Sequence, residues 1–171
     1  MTDSDFRDAY RENKDVLYRF ARRMTGSAEA AEDIAHDAFL ALWRSEAAYD
    51  PARGTLRSFL LGVARNLALQ RLRRERPQDP LDEDASVAGP IDIAGMERAE
   101  IVARAVGALP PLQREALILA EYEDLSAEEI GRATNAEIAA VKSRLHRARE
   151  NLRRMLAPLL ETRGTVHGTN R

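Results

Sequence analysis

The sequence predicts an all-α protein of two small helical domains joined by a flexible acidic linker. Three observations carry this. Ala and Leu dominate, while aromatic residues make up only 5% of the 171 residues, a balance that favours helix over sheet. Apolar residues recur at spacings of three and four between recognisable helix caps. Residues 77–95, PQDPLDEDASVAGPIDIAG, interrupt that pattern with Pro, Gly and Asp, the composition of a domain boundary. The domains so delimited are 1–76 and 96–171.

In chain order, residues 5–24 place Phe6, Tyr10, Val16, Leu17, Phe20 and Met24 at helical spacing, with Arg7, Arg11, Arg19 and Arg22 on other faces. This is an amphipathic scaffold helix. Gly26 suits the left-handed position just past its end. Ser27 caps a second helix, whose first turns hold Glu29, Glu32 and Asp33, matched to the helix dipole. Ile34, Ala38 and Leu42, with Trp43 at the end, form its expected inward face. Asp33, His36, Asp37 and Leu40 share another face. That stripe suits protein docking or an ordinary solvated acidic surface, and spacing does not separate the two. His36 has no second His or Cys nearby in sequence, so no metal site is expected.

Tyr49 to Gly54, YDPARG, breaks the second helix with an ordered loop. Thr55 or Ser58 starts the next, which carries Phe59, Leu60, Val63, Ala64, Leu67 and Leu72 inward and Arg65, Asn66, Arg71, Arg73 and Arg74 outward. A loop of this kind beside a basic helix can receive a nucleotide base, although many surface loops contain Pro, Arg and Gly. Past the linker, where Ile91 and Ile93 can pack locally, helix returns from Met96 to Ala108. Leu109-Pro110-Pro111 ends it. Pro111 can open a further helix, where its missing N–H costs little, running to about Tyr122.

Residues 126–149, SAEEIGRATNAEIAAVKSRLHRAR, are the most informative stretch. Ser126 and Glu129 have the spacing of a capping box, and Thr134 and Glu137 repeat it. Asn135 between them tolerates left-handed backbone. Two helices so tightly joined suggest a helix-turn-helix. The second has an apolar seam of Ile138, Val141, Leu145, Ala148 and Leu152. Lys142, Ser143, Arg144, His146, Arg147 and Arg149 occupy its other faces, dense in donors for phosphates and base edges. An ordinary amphipathic helix with a basic face is the plainer alternative. Leu156, Leu159 and Leu160 extend the seam past Pro158, and residues 162–171 are expected to fray.

The net charge of −2 hides a division. Arg57 to Arg76 and Lys142 to Arg154 are basic. Between them lie Asp79, Asp82, Glu83, Asp84, Asp92, Glu97 and Glu100, facing only Arg98. Each basic patch can engage a polyanion. There is no cysteine, hence no disulfide and no thiolate metal site. No apolar run reaches the ~18 residues of a membrane span, and the acidic start MTDSDFRD is unlike a signal peptide. A cytoplasmic protein without cofactor, metal or membrane insertion is the expectation.

AEDIAHDAFLALWR (31–44), YDPARGTLRSFLLGVARNLALQRLRR (49–74) and ALPPLQREALILAEYEDLSAEEIGRATNAEIAAVKSRLHRAR (108–149), in this order, resemble a bacterial extracytoplasmic-function (ECF) sigma factor of the sigma-70 family. The resemblance covers about residues 5–157, and VKSRLHRAR is its most specific fragment. It implies a region 2-type domain and a region 4-type helix-turn-helix domain, without enzymatic activity. By that resemblance, Asp33, His36, Asp37 and Leu40 dock on the clamp helices of the largest subunit of core RNA polymerase. The loop with Asp50, Pro51, Arg53 and Gly54 holds a flipped base of the −10 element, flanked by Arg65, Asn66, Arg71, Arg73 and Arg74. Lys142, Ser143, Arg144, His146, Arg147 and Arg149 contact the −35 element. An anti-sigma factor is the expected regulatory partner.

Four positions depart from the family pattern. His36 stands where Gln is common, Phe59 where Trp is common, Gln70 where Asp is frequent, and Ala139-Ala140 where Gly-Thr is usual. Ala140 offers DNA no hydroxyl, so an unusual −35 preference or affinity is expected. Two rivals remain. A helix-turn-helix regulator acting without polymerase explains residues 108–154 but leaves the Asp33 stripe and the loop idle. A nuclease would need paired catalytic groups or a glycine-rich phosphate loop, and the carboxylates here sit on helix surfaces.

Overall fold

The computed structural model describes residues 1–44, 49–77, 86, 87 and 89–165. Every regular element among them is helical. α1 (Asp3–Thr25), α2 (Ala28–Trp43) and α3 (Leu56–Glu75) make one unit. α4 (Arg98–Ala108), α5 (Pro111–Leu117), α6 (Ala127–Thr134), α7 (Ile138–Met155) and α8 (Ala157–Thr165) make the second. A 3₁₀ turn, Pro51–Arg53, leads into α3, and a π-type turn, Ile118–Tyr122, continues α5.

Caps set the limits of the first unit. Thr2 and Asp5 form a capping box at the start of α1, which closes on Gly26 at φ 71°. Ser27 accepts the Ala30 N–H at 3.1 Å, and Thr55, not Ser58, caps α3 by accepting the Ser58 N–H at 3.1 Å. Leu17, Phe20, Ala21 and Met24 of α1 then meet Ile34, Ala38 and Leu42 of α2 and Leu60, Leu61, Ala64 and Ala68 of α3 in the core. Each large side chain so buried contributes about 1.5–3 kcal/mol against chain entropy. Trp43 departs from its expected inward position and is 48% exposed. It sits at the end of α2, where the Phe6 ring, near the start of α1, meets it edge-on at 4.9 Å. Phe39, one turn earlier, is the buried aromatic of this face.

In the second unit Pro111 opens α5. α4 begins at Arg98 rather than Met96, because the Met96 N–H is turned back to the Ile93 carbonyl at 3.1 Å. The Ser126–Glu129 capping box is complete, both bonds being 3.1 Å. The second box expected at Thr134 and Glu137 does not form. Thr134 is still inside α6, and its hydroxyl donates to the Ile130 carbonyl at 2.7 Å. Asn135 turns the chain at φ 52°, and α7 starts after Glu137 without a side-chain cap. The turn depends on Gly131, since a Cβ there would lie 2.8 Å from the Ala136 carbonyl oxygen. Ile138 also leaves the expected seam and is 41% exposed, while Val141, Leu145 and Ala148 are buried. Beyond α7 the seam fades: Leu156 and Leu159 are half-buried and Leu160 is exposed. The tail expected to fray is helical as far as Thr165; residues 166–171 lie outside the described residues.

The linker is partly anchored. The Val87 N–H donates to Asn151 Oδ1 and the Ile91 N–H to the Met155 carbonyl, both at 3.3 Å. Ile91 packs on the core as expected. Asp79, Asp82, Glu83 and Asp84 lie outside the described residues.

The two units pack together. α6 lies along α3 where Gly62 leaves room: a Cβ at Gly62 would be 3.1 Å from the Ala133 carbonyl oxygen. On the α1 side, buried Arg114 of α5 donates to the Met24 carbonyl as well as to Leu109 O. Burial, and the charge of Arg76, push its guanidinium down to about 10, which leaves it charged at neutral pH. Arg23 stacks over the Tyr122 ring at 3.9 Å, a cation–π contact.

Candidate nucleic-acid interface

The loop before α3 is held from within. Asp50 Oδ1 accepts the Ala52 N–H at 2.9 Å, and the Tyr49 hydroxyl donates to the Gly54 carbonyl at 3.2 Å. Gly54 has φ 153°, a conformation that L side chains rarely adopt. The Tyr49 ring leans on Phe59 at 5.5 Å. An ordered loop with Asp50, Pro51 and Arg53 exposed thus stands at the head of α3. It forms one wall of a cleft of 1170 Å³, whose other wall is the α6–α7 turn with Arg132, Asn135, Glu137 and Ile138. The expected −10 loop and the turn that precedes the expected −35 helix therefore line one space.

On α7, Lys142, Ser143, His146, Arg147 and Arg149 are exposed. His146 Nε2 lies 3.2 Å from Glu150 Oε1, and Arg149 reaches Glu121 at 2.7 Å. Arg144 differs from its expected setting. It is 8% exposed, on the packed side of the helix, with Nη1 3.9 Å from Glu115 Oε1. In this arrangement it braces α7 against α5. Helix periodicity explains the difference: positions 141, 144, 145 and 148 advance along one face, so Arg144 lies between Val141 and Ala148 on the side facing α5.

On α3, Asn66, Arg73 and Arg74 are exposed. Arg71 bridges Asp33 and Glu75 at 3.4 and 3.3 Å. Arg65 is engaged by the second unit: its Nε and Nη2 donate to Glu115 at 2.6 and 2.9 Å, and Nη1 donates to Asn66 at 3.2 Å. Glu115 is fully buried. One carboxylate thus holds an arginine from each expected DNA-binding set. Beside it, Arg57 donates to buried Glu123 at 2.7 Å, and Ser58 donates to Glu129 at 3.4 Å. Sequence reasoning missed Glu115 and Glu123. No local signal marks them, because their arginine partners lie 50 and 66 residues away on α3.

The α2 stripe is accessible, with Asp33, His36 and Asp37 exposed and Leu40 half-buried. Among the described residues no helix is long and apolar enough to cross a membrane.

Two helical units, the second a helix-turn-helix whose α7 exposes a basic face, have the architecture of a DNA-binding protein. The family profile for sigma-70 region 2 matches residues 9–78, and that for sigma-70 region 4 matches residues 99–152. The chain is 32% identical over 173 residues to the ECF RNA polymerase sigma factor SigW of Bacillus subtilis, covering 91% of this chain and 89% of SigW. It is 35% identical over 156 residues to SigE of Mycolicibacterium smegmatis, covering 86% of this chain and 60% of SigE. The fold resembles that of the sigma factor RpoE in its complex with the anti-sigma factor NepR from Bartonella quintana. The TM-score is 0.71 at 24% identity, over 90% of this chain and 97% of that one. CnrH, in complex with the cytosolic domain of CnrY, gives a TM-score of 0.67 at 22% identity, over 94% and 90%. The chain belongs to the ECF RNA polymerase sigma factors, which act with core polymerase in promoter-specific transcription initiation.

Proposed function

We propose that this sigma factor divides its work along the chain as follows. The exposed Asp33, His36 and Asp37, with Leu40 beside them, dock on the clamp helices of the largest polymerase subunit. The loop formed by Asp50, Pro51, Arg53 and Gly54 holds a flipped −10 base, and Arg65, Asn66, Arg71, Arg73 and Arg74 flank the opening duplex. Lys142, Ser143, His146, Arg147 and Arg149 read the −35 element and its phosphates, with Arg144 bracing the helix that carries them. The working boundaries are 1–76, 77–95 and 96–171. The protein acts by binding, without turnover of its own, in the cytoplasm.

The observation that carries this reading is the exposed basic face of α7 behind a glycine-tight turn, in one chain with an internally hydrogen-bonded loop that walls a cleft. Family membership disfavours a regulator that works without polymerase. Control by an anti-sigma factor is supported by the fold shared with RpoE, solved with the anti-sigma factor NepR, and by the α2 and α7 faces left open to such a partner. Run-off transcription with core polymerase on promoter fragments tests the assignment. Transcripts that require both the protein and its −10 and −35 elements are expected. Binding to those fragments that core polymerase neither joins nor extends would overturn it.

A further inference from the structure

We propose that Glu115 and Glu123 form an ionic latch that holds the protein closed by occupying Arg65 and Arg57, and that promoter phosphate releases it by taking Arg65 from Glu115. The inference rests on the assignment of Arg65 to −10 DNA.

Distance shows that the arrangement seen is a resting one. Promoter elements centred at −10 and −35 are separated by roughly 25 base pairs, about 85 Å of B-form duplex. Here the −10 loop and the start of α7 line the same cleft, so the two readers cannot span a promoter until the units part. The chain allows it. The 19 residues from 77 to 95 span at most about 63–68 Å when extended, and the units themselves supply the remainder. The Val87 and Ile91 hydrogen bonds to the end of α7 must be given up on the way.

Chemistry identifies the latch. Arg65 is bound in a fork by Glu115, and the same planar donor set fits a phosphate equally well. On parting, Glu115 keeps Arg144 nearby within its own unit, so its charge is not stranded. Glu123 meets its ionic partner Arg57 across the interface, and it becomes solvated once the units part. The contact is imperfect: among the described residues Arg57 Nε and Glu123 Oε1 are buried without a hydrogen-bond partner, which lowers the net gain of closure. A latch whose arginine has an equally good alternative partner in DNA, and whose second pair is only half satisfied, opens without unfolding either unit.

The test uses the full chain. It has no cysteine, so Glu12→Cys and Ala103→Cys, both at exposed positions, carry a fluorescent donor and acceptor. Two variants open the interface independently, Gly62→Leu as a wedge against Ala133 and the pair Arg57→Ala/Glu123→Gln. Leu is a better helix former than Gly, and far-UV circular dichroism checks that α3 persists. Should the wedge misfold, the ion-pair variant carries the test. The expected result is high transfer in the parent at low salt and low transfer in the variants. Binding of a −10/−35 promoter duplex without polymerase should tighten about tenfold, as for a parent that is open about one-tenth of the time. Low transfer in the parent, or variants that open with no gain in DNA affinity, would overturn the latch. Label separation is read without DNA or polymerase, so a latch that behaves as described alongside absent transcription would sink only the sigma-specific residue roles.

Discussion

Arg144 and Arg147 sit one turn apart on α7, and the structure gives them opposite fates on mutation. Arg144→Ala removes a side chain packed beside a fully buried carboxylate. Breaking a buried pair outright costs about 3–5 kcal/mol. Arg65 still holds Glu115 through two short bonds, so the loss here should be smaller, about 1–3 kcal/mol, from a total of about 5–15 kcal/mol. Urea unfolding should therefore show a lower midpoint at unchanged slope. Adding Arg65→Ala should cost more than the sum of the single changes, by about 0.5–3 kcal/mol, because the two arginines share one partner. Arg147→Ala, at an exposed position, should leave the midpoint within about 0.5 kcal/mol. It should cost about 1–3 kcal/mol in −35 binding and relax preference at one base pair. The logic fails if Arg144→Ala unfolds at the parent midpoint yet loses discrimination at a single base pair, for then Arg144 reads DNA.

Three further outcomes are expected. Asp33→Lys/Asp37→Lys should abolish association with core polymerase in a pull-down while helix content is retained, since the Asp33 ion pair with Arg71 is exposed and worth about 0–1 kcal/mol; undiminished association would remove the docking assignment. Lys142→Ala should weaken all duplexes alike and reduce the slope of log K against log salt by about 0.9, and an unchanged slope would mean that Lys142 meets no phosphate. Ser126→Ala should cost about 0.5–2 kcal/mol as a lost cap. The Glu129 carboxyl is held below its ordinary value chiefly by the Ser126 N–H. A depressed carboxylate stabilises the fold above its unfolded value and loses that contribution as pH falls through the folded one. Glu129→Gln should therefore flatten the stability profile below about pH 4, and identical acid profiles would refute the cap's role.

What the sequence made legible follows from how local each determinant is. The Ser126 box, the Asn135 turn, the Ser27 cap and the Pro111 start are settled by residues within one helical turn, and all are found in place. Thr134 was misjudged because its hydroxyl has two local options, the next helix's N–H groups or the carbonyl one turn back, and the steric demand of Gly131 selects the second. Trp43 was misjudged because its burial depends on how far α1 extends beside it. Glu115 and Glu123 were invisible for a stronger reason: their partners on α3 are 50 and 66 residues away, and no periodicity encodes a pairing between units. The same holds for Arg65, expected from its basic surroundings to meet a polyanion and found on a carboxylate of its own chain.

That substitution of one anion for another has a consequence for how the protein senses ionic strength. A preformed DNA reader loses affinity with salt in proportion to the phosphates it neutralises. Arg65 releases the same counterions from DNA whether or not it first leaves Glu115, so closed and open chains differ through the closing equilibrium. Salt also weakens the Arg57–Glu123 pair, half exposed on its arginine side, and so favours the open form. The two effects oppose each other: salt that weakens phosphate contacts also loosens the latch. Promoter binding by the closed parent should therefore fall less steeply with salt than binding by Gly62→Leu, although the variant is tighter at every concentration.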